Sequence, residues 1–305
     1  MDFKNYLVPG KTGLLIGIGG VSMSPLAEVL HDAGLDIRGS DMAESSNTLT
    51  LRERGIPIHI GHSADNVTDD ISFVIRTAAV HDDNPEVHEA HRRGIPVFER
   101  TQAWGALMRG YQNALCISGT HGKTTTTSMC THIMMAAEKD PTVMIGGTLP
   151  LLKACHRVGK GNTIIMESCE YYNSFLALNP TIAVVLNIEA DHLDFFKDLE
   201  DIKHSFRCFA ERVPAETGTV IANYDDANTM DALRGIARKV ITFGLNAKAD
   251  VYAQNIVHRG SVSEFDIYHR GNYFARVTLH VPGIHNVRNA LAATAAAIVL
   301  GVSPN

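Results

Sequence analysis

The sequence has no apolar stretch long enough to cross a bilayer. Its longest such run, residues 290–299, is interrupted by Thr294 and is about half the length a membrane helix needs. The opening residues, MDFKNYLVPGKTG, carry no long apolar segment of the kind a secretory leader has. A cytoplasmic protein without membrane insertion is therefore expected. Basic runs and Arg-rich arms are missing too, and a net charge of −6 argues against a nucleic-acid partner. Cysteine is scarce: the five residues Cys116, Cys130, Cys155, Cys169 and Cys208 are widely spaced, and none forms a C-x-x-C pair. That excludes a zinc or disulfide framework and leaves most of them as small core residues held reduced. Low-complexity tracts and internal repeats are absent as well. The 45% hydrophobic and 20% charged content is that of an ordinary folded chain, and 305 residues suggest two domains.

Apolar, strand-like runs alternate with helix-like runs, the pattern of parallel α/β sheets. Strands are expected at residues 13–18, 35–39, 56–60, 72–75 and 95–98, with helices at 23–33, 49–54 and 86–93. A connecting helix over 99–110 follows. A second series of strands is expected at 114–117, 163–166, 182–186, 219–222 and 240–243, with helices between them. From residue 251 to 281 the pattern becomes alternating and β-branched, with a hairpin turn at His269-Arg-Gly-Asn. An Ala-rich helix over 289–300 closes the chain. The expected architecture is an N-terminal Rossmann-like parallel-sheet domain over 1–105. A P-loop-type α/β domain with an antiparallel annex follows over 106–305.

Residues 119–127 read GTHGKTTTT, between the apolar run 114–117 and a helix expected at 129–137. A strand, a Gly-rich turn, a lysine and then hydroxyls opening a helix is the layout of a phosphate-binding loop. Glycines let backbone N–H groups approach phosphate oxygens, and the helix N-terminus adds unpaired donors and partial positive charge. Gly119, Thr120, His121, Gly122, Lys123, Thr124 and Thr125 are the candidate ATP-binding residues. Lys123 would reach the terminal phosphates, and Thr124 would offer its hydroxyl to Mg²⁺. The loop is the shortened form G-x-x-G-K-T, because Ile117 stands where the usual motif has its first glycine.

A second Gly-rich turn, GIGGVSMS at 17–24, follows a strand, opens a helix and precedes Asp41 at the end of the next strand. Gly17, Gly19 and Ser22 occupy the three positions of a dinucleotide fingerprint, with an acidic residue about 20 residues on. A ligand containing a diphosphate is expected here. Ser22 counts against a nicotinamide cofactor, since glycine or alanine is usual at its position.

Two polar segments follow strands of the second series: MESCE at 166–170 and NIEADHLD at 187–194. In a parallel sheet the C-terminal strand ends share one crevice. Glu167 and His192 are therefore expected to converge on the Mg²⁺ that Thr124 would hold; the carboxylate suits that ion better than a neutral imidazole. Asp191 and Asp194 could equally cap helices. In PGIHNVRNA at 282–290, Asn286 and Asn289 lie three apart at a helix start and share a face. They could meet a purine edge or simply cap the helix.

Taken in order, GIGGVSMS with GSD at 39–41, GTHGKTTT, E-x-C-E-Y-x-x-SFL, NIEADHLD and GIHNVRNA resemble the Mur ligase family of peptidoglycan synthesis, and in particular its alanine-adding branch. The resemblance runs over essentially the whole chain. It implies an ATP- and Mg²⁺-dependent ligase joining L-alanine to the lactyl carboxylate of UDP-N-acetylmuramate through an acyl phosphate. On that reading Lys123, Glu167 and His192 are catalytic, and Thr124, Glu167 and His192 hold metal. Asn286 and Asn289 contact the adenine side. Gly17, Gly19, Gly20, Ser22 and Asp41 cradle the uridine diphosphate. No counterpart is seen of the carbamylated lysine that later-acting members use at the metal. The resemblance also implies a third, C-terminal domain that this sequence lacks, so the chain alone is expected to be inactive. Residues 168–173, Ser-Cys-Glu-Tyr-Tyr-Asn, depart from the Ala-Asp-Glu-Ser-Asp-Ala of many members but keep Glu170. A murein-peptide recycling ligase, a non-catalytic UDP-sugar-binding module, a hydrolysing ATPase and an NAD-dependent oxidoreductase are the competing readings.

Overall fold

The computed structural model describes residues 2–77 and 79–304 and divides into two units, the first ending at Gly110 and the second beginning at Tyr111. The division falls five residues after the expected 105/106 boundary. The connecting helix belongs to the first unit, where Trp104 Nε1 donates to the carbonyl of Ser22 at 3.3 Å.

In chain order the first unit has β1 (Thr12–Ile16), α1 (Ser24–Asp32), β2 (Asp36–Asp41), α2 (Ser46–Glu53) and β3 (Ile58–Ile60). It continues with β4 (Ile71–Arg76), α3 (Pro85–Arg92), β5 (Val97–Glu99) and α4 (Arg100–Met108). The sheet order is β3-β2-β1-β4-β5, and every pairing is parallel. All five residues of β1 are buried, as a central strand covered on both faces requires. Strand order reverses at β1, between β2 and β4, so the turns after β1 and β4 open a crevice at their C-terminal ends. Short 3₁₀ turns, such as Phe3–Tyr6, fill the corners. Phe3 meets Phe73 and Phe98 edge-on, each with ring centroids 5.1 Å apart.

The second unit contains β6 (Asn113–Ser118), α5 (Lys123–Ala136), β7 (Thr142–Leu149), β8 (Ala154–Arg157), β9 (Thr163–Glu167) and β10 (Ile182–Val185). Then come α6 (Leu199–Glu211), β11 (Thr219–Asn223), α7 (Ala227–Ala232) and β12 (Lys239–Gly244). Last are β13 (Val251–Arg259), β14 (Val262–His269), β15 (Asn272–Leu279) and α8 (Ile284–Val299). These strands form one ten-stranded sheet, β15-β14-β13-β12-β11-β10-β6-β9-β7-β8. The antiparallel annex expected from the sequence is β13-β14-β15, and it is continuous with the parallel sheet. It joins the parallel sheet where Phe243 and Gly244 pair with Val251 and Tyr252.

Three features differ from the sequence expectation. Strands β7 and β8 were not foreseen, because Gly146, Gly147 and Pro150 interrupt their apolar pattern as loop residues would. Helix α5 starts at Lys123 rather than 129. Its hydroxyl residues are accommodated by back-bonding to carbonyls one turn earlier, Thr127 to Lys123, Ser128 to Thr124 and Thr131 to Thr127, each at 2.8 Å. Of the cysteines only Cys116 and Cys130 are in the core, where burial pushes both thiols up to about 12; Cys169 is exposed, and the other two are half-buried.

The turn after β9 is anchored by Phe175, which stacks on Phe209 at 4.6 Å and meets Phe206 edge-on at 5.3 Å. Phe175→Ala should cost about 3–5 kcal/mol in urea unfolding of the second unit. In the first unit, Arg92 and Arg93 hold the Glu89 carboxyl down at about 2. A depressed carboxyl contributes stability above the ordinary carboxylate range and loses it as pH falls toward the folded value. Glu89→Gln should accordingly flatten the acid limb of a Tm-against-pH curve between pH 4.5 and about 2.

Candidate active site

Strands β10, β6 and β9 lie side by side, and the loops that leave their C-terminal ends build the centre. The loop after β6 is clamped by the loop after β10. Thr120 N–H donates to the Asn187 carbonyl at 3.0 Å, and His121 N–H to Asn187 Oδ1 at 2.8 Å. In return, Asn187 Nδ2 donates to the His121 carbonyl at 3.0 Å, and Glu189 N–H to Thr120 Oγ1 at 2.9 Å. Two glycines permit this approach. Gly119 has φ +144, and a Cβ there would lie 2.8 Å from Leu186 Cβ; Gly122 has φ +85, and a Cβ would lie 2.6 Å from Asn289 Oδ1. The loop then opens directly into the N-terminus of α5, whose first amides are unpaired donors.

Lys123 Nζ donates to the Gly119 carbonyl at 2.6 Å, to the Thr120 carbonyl at 3.2 Å, and to the Glu170 carboxylate at 3.2 and 3.0 Å. Thr124 Oγ1 donates to Glu167 Oε1 at 3.0 Å, and Glu167 Oε2 accepts from Gly146 N–H at 2.6 Å. Thr125 is half-buried, and its hydroxyl makes no hydrogen bond among the described residues. His192 does not join Thr124 and Glu167. Its Nε2 lies 4.0 Å from Glu170 Oε1, and its ring stacks on Tyr171 at 4.3 Å. Tyr171 in turn donates its hydroxyl to Asp194 at 2.5 Å. That bond, with Tyr172 beside it, holds the Tyr171 phenol above its ordinary range. Backbone strain collects here: Tyr172, Asn173 and His192 have φ of +53°, +55° and +52°, a left-handed conformation that non-glycine residues rarely hold.

The donor set has the chemistry a magnesium–nucleotide would require. Among the described residues no cluster of three or more His, Cys, Asp or Glu could hold a metal alone. One hydroxyl and one carboxylate in contact are instead the oxygen donors that Mg²⁺ takes when phosphates complete its shell. Beside the loop is a cavity of about 390 Å³ lined by His121, Gly122, Asn187, Asn223, Arg288 and Asn289, among others. Arg288 Nε is buried there without a hydrogen-bond partner, 3.7 Å from Asp225 Oδ2. Asn289 faces this cavity. Asn286 backs it, accepting from Asn289 Nδ2 at 3.2 Å and donating to the Pro282 carbonyl at 2.6 Å.

The first unit has its own cavity, of about 670 Å³, at the crevice between the turns after β1 and β4. Gly17, Gly19, Gly20 and Asp41 line it. Asp41 Oδ2 accepts from Gly19 N–H at 2.8 Å, which ties the two strand ends together. Ser22 is not part of the lining; its hydroxyl accepts from Arg100. The wall carries Asp41, Asp83, His62 and His81 but no Lys or Arg. His62 is oriented by Glu86 at 2.8 Å, whose carboxylate also takes Ser40 at 2.7 Å and Asn66 at 2.6 Å.

Sequence reasoning gave no role to Glu170, Tyr171, Asn187, Arg288 or His62. Asn187 carried a usable signal, as the first polar residue after a buried strand. The partners of Glu170 and His62 are 47 and 24 residues away in sequence, so no local pattern marks them.

Residues 117–297 match the Mur ligase middle domain, and residues 15–112 match the Mur ligase family catalytic domain. The chain is 46% identical over 288 residues to the UDP-N-acetylmuramate–L-alanine ligase of Agathobacter rectalis, covering 94% of this chain and 62% of that one. It is 44% identical over 302 residues to that of Clostridium novyi, covering 99% and 65%. The chain thus spans less than two thirds of the length of these relatives. Among solved structures, the UDP-N-acetylmuramate–alanine ligase of Thermotoga maritima superposes with a TM-score of 0.78 at 31% identity, covering 95% of this chain and 65% of that one. The UDP-N-acetylmuramate:L-alanyl-γ-D-glutamyl-meso-diaminopimelate ligase of Neisseria meningitides gives 0.86 at 26% identity, covering 97% and 95%.

Replacing Asn187 with alanine removes both side-chain bonds to His121 and strands the partners of a tight turn. Asn187→Ala should destabilise the second unit by about 1–3 kcal/mol and speed amide exchange at residues 119–123, read by hydrogen–deuterium exchange.

Proposed function

Because this chain belongs to the Mur ligase family, we propose that it serves the ATP-dependent joining of L-alanine to the lactyl carboxylate of UDP-N-acetylmuramate. The observation that carries this reading is the contact of Thr124 with Glu167 beside Lys123, at the mouth of a clamped glycine loop. The 44–46% identity to alanine ligases over nearly the whole chain supports the choice of amino acid.

A carboxylate is a poor acyl donor, because oxide is a poor leaving group. Activation comes from attack of the lactyl carboxylate oxygen on the γ-phosphorus, with ADP leaving. The alanine amine then adds to the acyl phosphate carbonyl and loses a proton, and inorganic phosphate departs from the tetrahedral intermediate. Lys123 and the amides opening α5 would neutralise charge on the transferring phosphoryl. Thr124 and Glu167 would hold Mg²⁺, which supplies further charge neutralisation. His192 would steady the substrate carboxylate from the Glu170 side. Asn289 and Arg288 would face the adenosine. In the first unit the turn at Gly17, Gly19 and Gly20 would present backbone N–H groups to the uridine diphosphate. Asp41 would take a ribose hydroxyl, its usual role at that strand end. We place the reaction in the cytoplasm, where ATP is available; among the described residues no helix is long and apolar enough to cross a membrane.

A second reading, ligation of a preformed peptide to the same carboxylate, is favoured by the TM-score of 0.86 to the Neisseria enzyme. Offering L-alanine or the tripeptide to an active preparation distinguishes the two.

Calorimetric titration tests the assignment of the two cavities. The chain should bind UDP-N-acetylmuramate and not NADH, and Lys123→Ala should lose Mg-ATP binding while keeping the sugar nucleotide. Binding of NADH alone, or loss of sugar-nucleotide binding in Lys123→Ala with ATP binding intact, refutes it.

A further inference from the structure

Lys123 has no donor to spare. An ammonium group offers three N–H bonds, and Nζ lies within reach of four acceptors, two loop carbonyls and both oxygens of Glu170. The ion pair is largely withdrawn from water, with the Lys123 and Glu170 side chains 15% and 3% exposed. Glu170 makes no other side-chain hydrogen bond among the described residues; its remaining neighbour is His192 Nε2 at 4.0 Å. The backbone around it is fixed on both sides. Ser168 N–H donates to the Ile117 carbonyl at 2.9 Å, Asn173 N–H to the Glu170 carbonyl at 2.8 Å, and Phe175 N–H to the Cys169 carbonyl at 3.0 Å. The carboxylate is thus delivered to Lys123 by the fold and not by a flexible surface side chain.

We propose that Glu170 is a positioning residue that stands in for phosphate against Lys123. It keeps the ammonium aimed into the loop before nucleotide arrives, and it lowers nucleotide affinity by competing for the same cation. This rests on reading the loop as a nucleotide site. An anion close to a shared ammonium disfavours the second anion. Nucleotide entry therefore either draws Lys123 off Glu170 or brings phosphate oxygens near the carboxylate. On phosphate departure the ammonium returns to Glu170, which favours product release.

The sign of the effect separates this role from a merely structural one. Mg-ATP is titrated calorimetrically into the 305-residue chain as wild type, Glu170→Gln and Glu170→Asp. Glu170→Gln, which keeps the shape and removes the charge, should tighten Kd about tenfold. Glu170→Asp, which keeps the charge, should stay close to wild type. A structural brace predicts the reverse, weaker binding together with a lower Tm, and unchanged or weaker binding by Glu170→Gln overturns the proposal. Wild type that fails to bind Mg-ATP removes the nucleotide reading and this inference with it. Wild type that binds while Glu170→Gln binds less well removes this inference alone. A readout needing no variant is acylation of Lys123 followed by mass spectrometry. Lys123 should be as protected without nucleotide as with it, and protection that appears only on adding Mg-ATP overturns the proposal.

Discussion

The grip of Asn187 on the glycine loop is the contact on which the rest of the candidate site depends. Strands β6 and β10 run parallel and in register, Ser118 opposite Val185, so their chains leave the sheet at the same edge. Asn187 then spans the gap with one main-chain and two side-chain bonds to the loop. With the loop fixed, α5 begins at Lys123, and Lys123 and Thr124 point toward Glu170, just beyond β9, and Glu167, at its end. Every later piece of geometry, from the Thr124–Glu167 contact to the placing of Asn289 against Gly122, inherits that position.

On the proposed reading, the two units would bind phosphate by different means. In the second unit a full positive charge, Lys123, lies in the loop beside the cavity, paired with the buried Glu170. The first unit has no Lys or Arg on its cavity wall. Binding an anion there would fall to backbone amides of the Gly17–Gly20 turn and to the end of α1. Asp41 has one oxygen already committed to Gly19 N–H. Such a site selects by shape and hydrogen-bond direction more than by charge, and its affinity should depend little on ionic strength.

What could be read in the sequence was what is encoded locally. The buried strands β1, β6 and β10 are continuous apolar runs, and the turns after β1 and β6 carry glycines at fixed offsets, so the parallel sheets and both glycine turns were legible. Glu167 could be placed because it ends a strand next to the loop strand. Strands β7 and β8 were hidden by Gly146 and Gly147, which look like a loop until Gly146 N–H is seen to donate to Glu167. Ser22 looked like part of a phosphate turn. That it is held instead by Arg100, 78 residues away, is a tertiary fact with no local trace. His192 was expected beside Thr124 and Glu167; it lies against Glu170 and Tyr171 instead, whose places depend on how the turn after β9 folds back.

The left-handed residues Tyr172, Asn173 and His192 give this crevice a further property. Each holds a conformation that costs roughly 1–3 kcal/mol outside glycine, and all three lie within a few residues of Glu170 or in contact with Tyr171. The centre is thus kept in shape by the stability of the surrounding sheet. A laboratory selection for heat tolerance would find inexpensive gains by relaxing these positions, and the shape of the crevice would be lost along with the strain. A lineage that kept the strained geometry while adapting to heat would have to place its stabilising substitutions elsewhere in the sheet and helices.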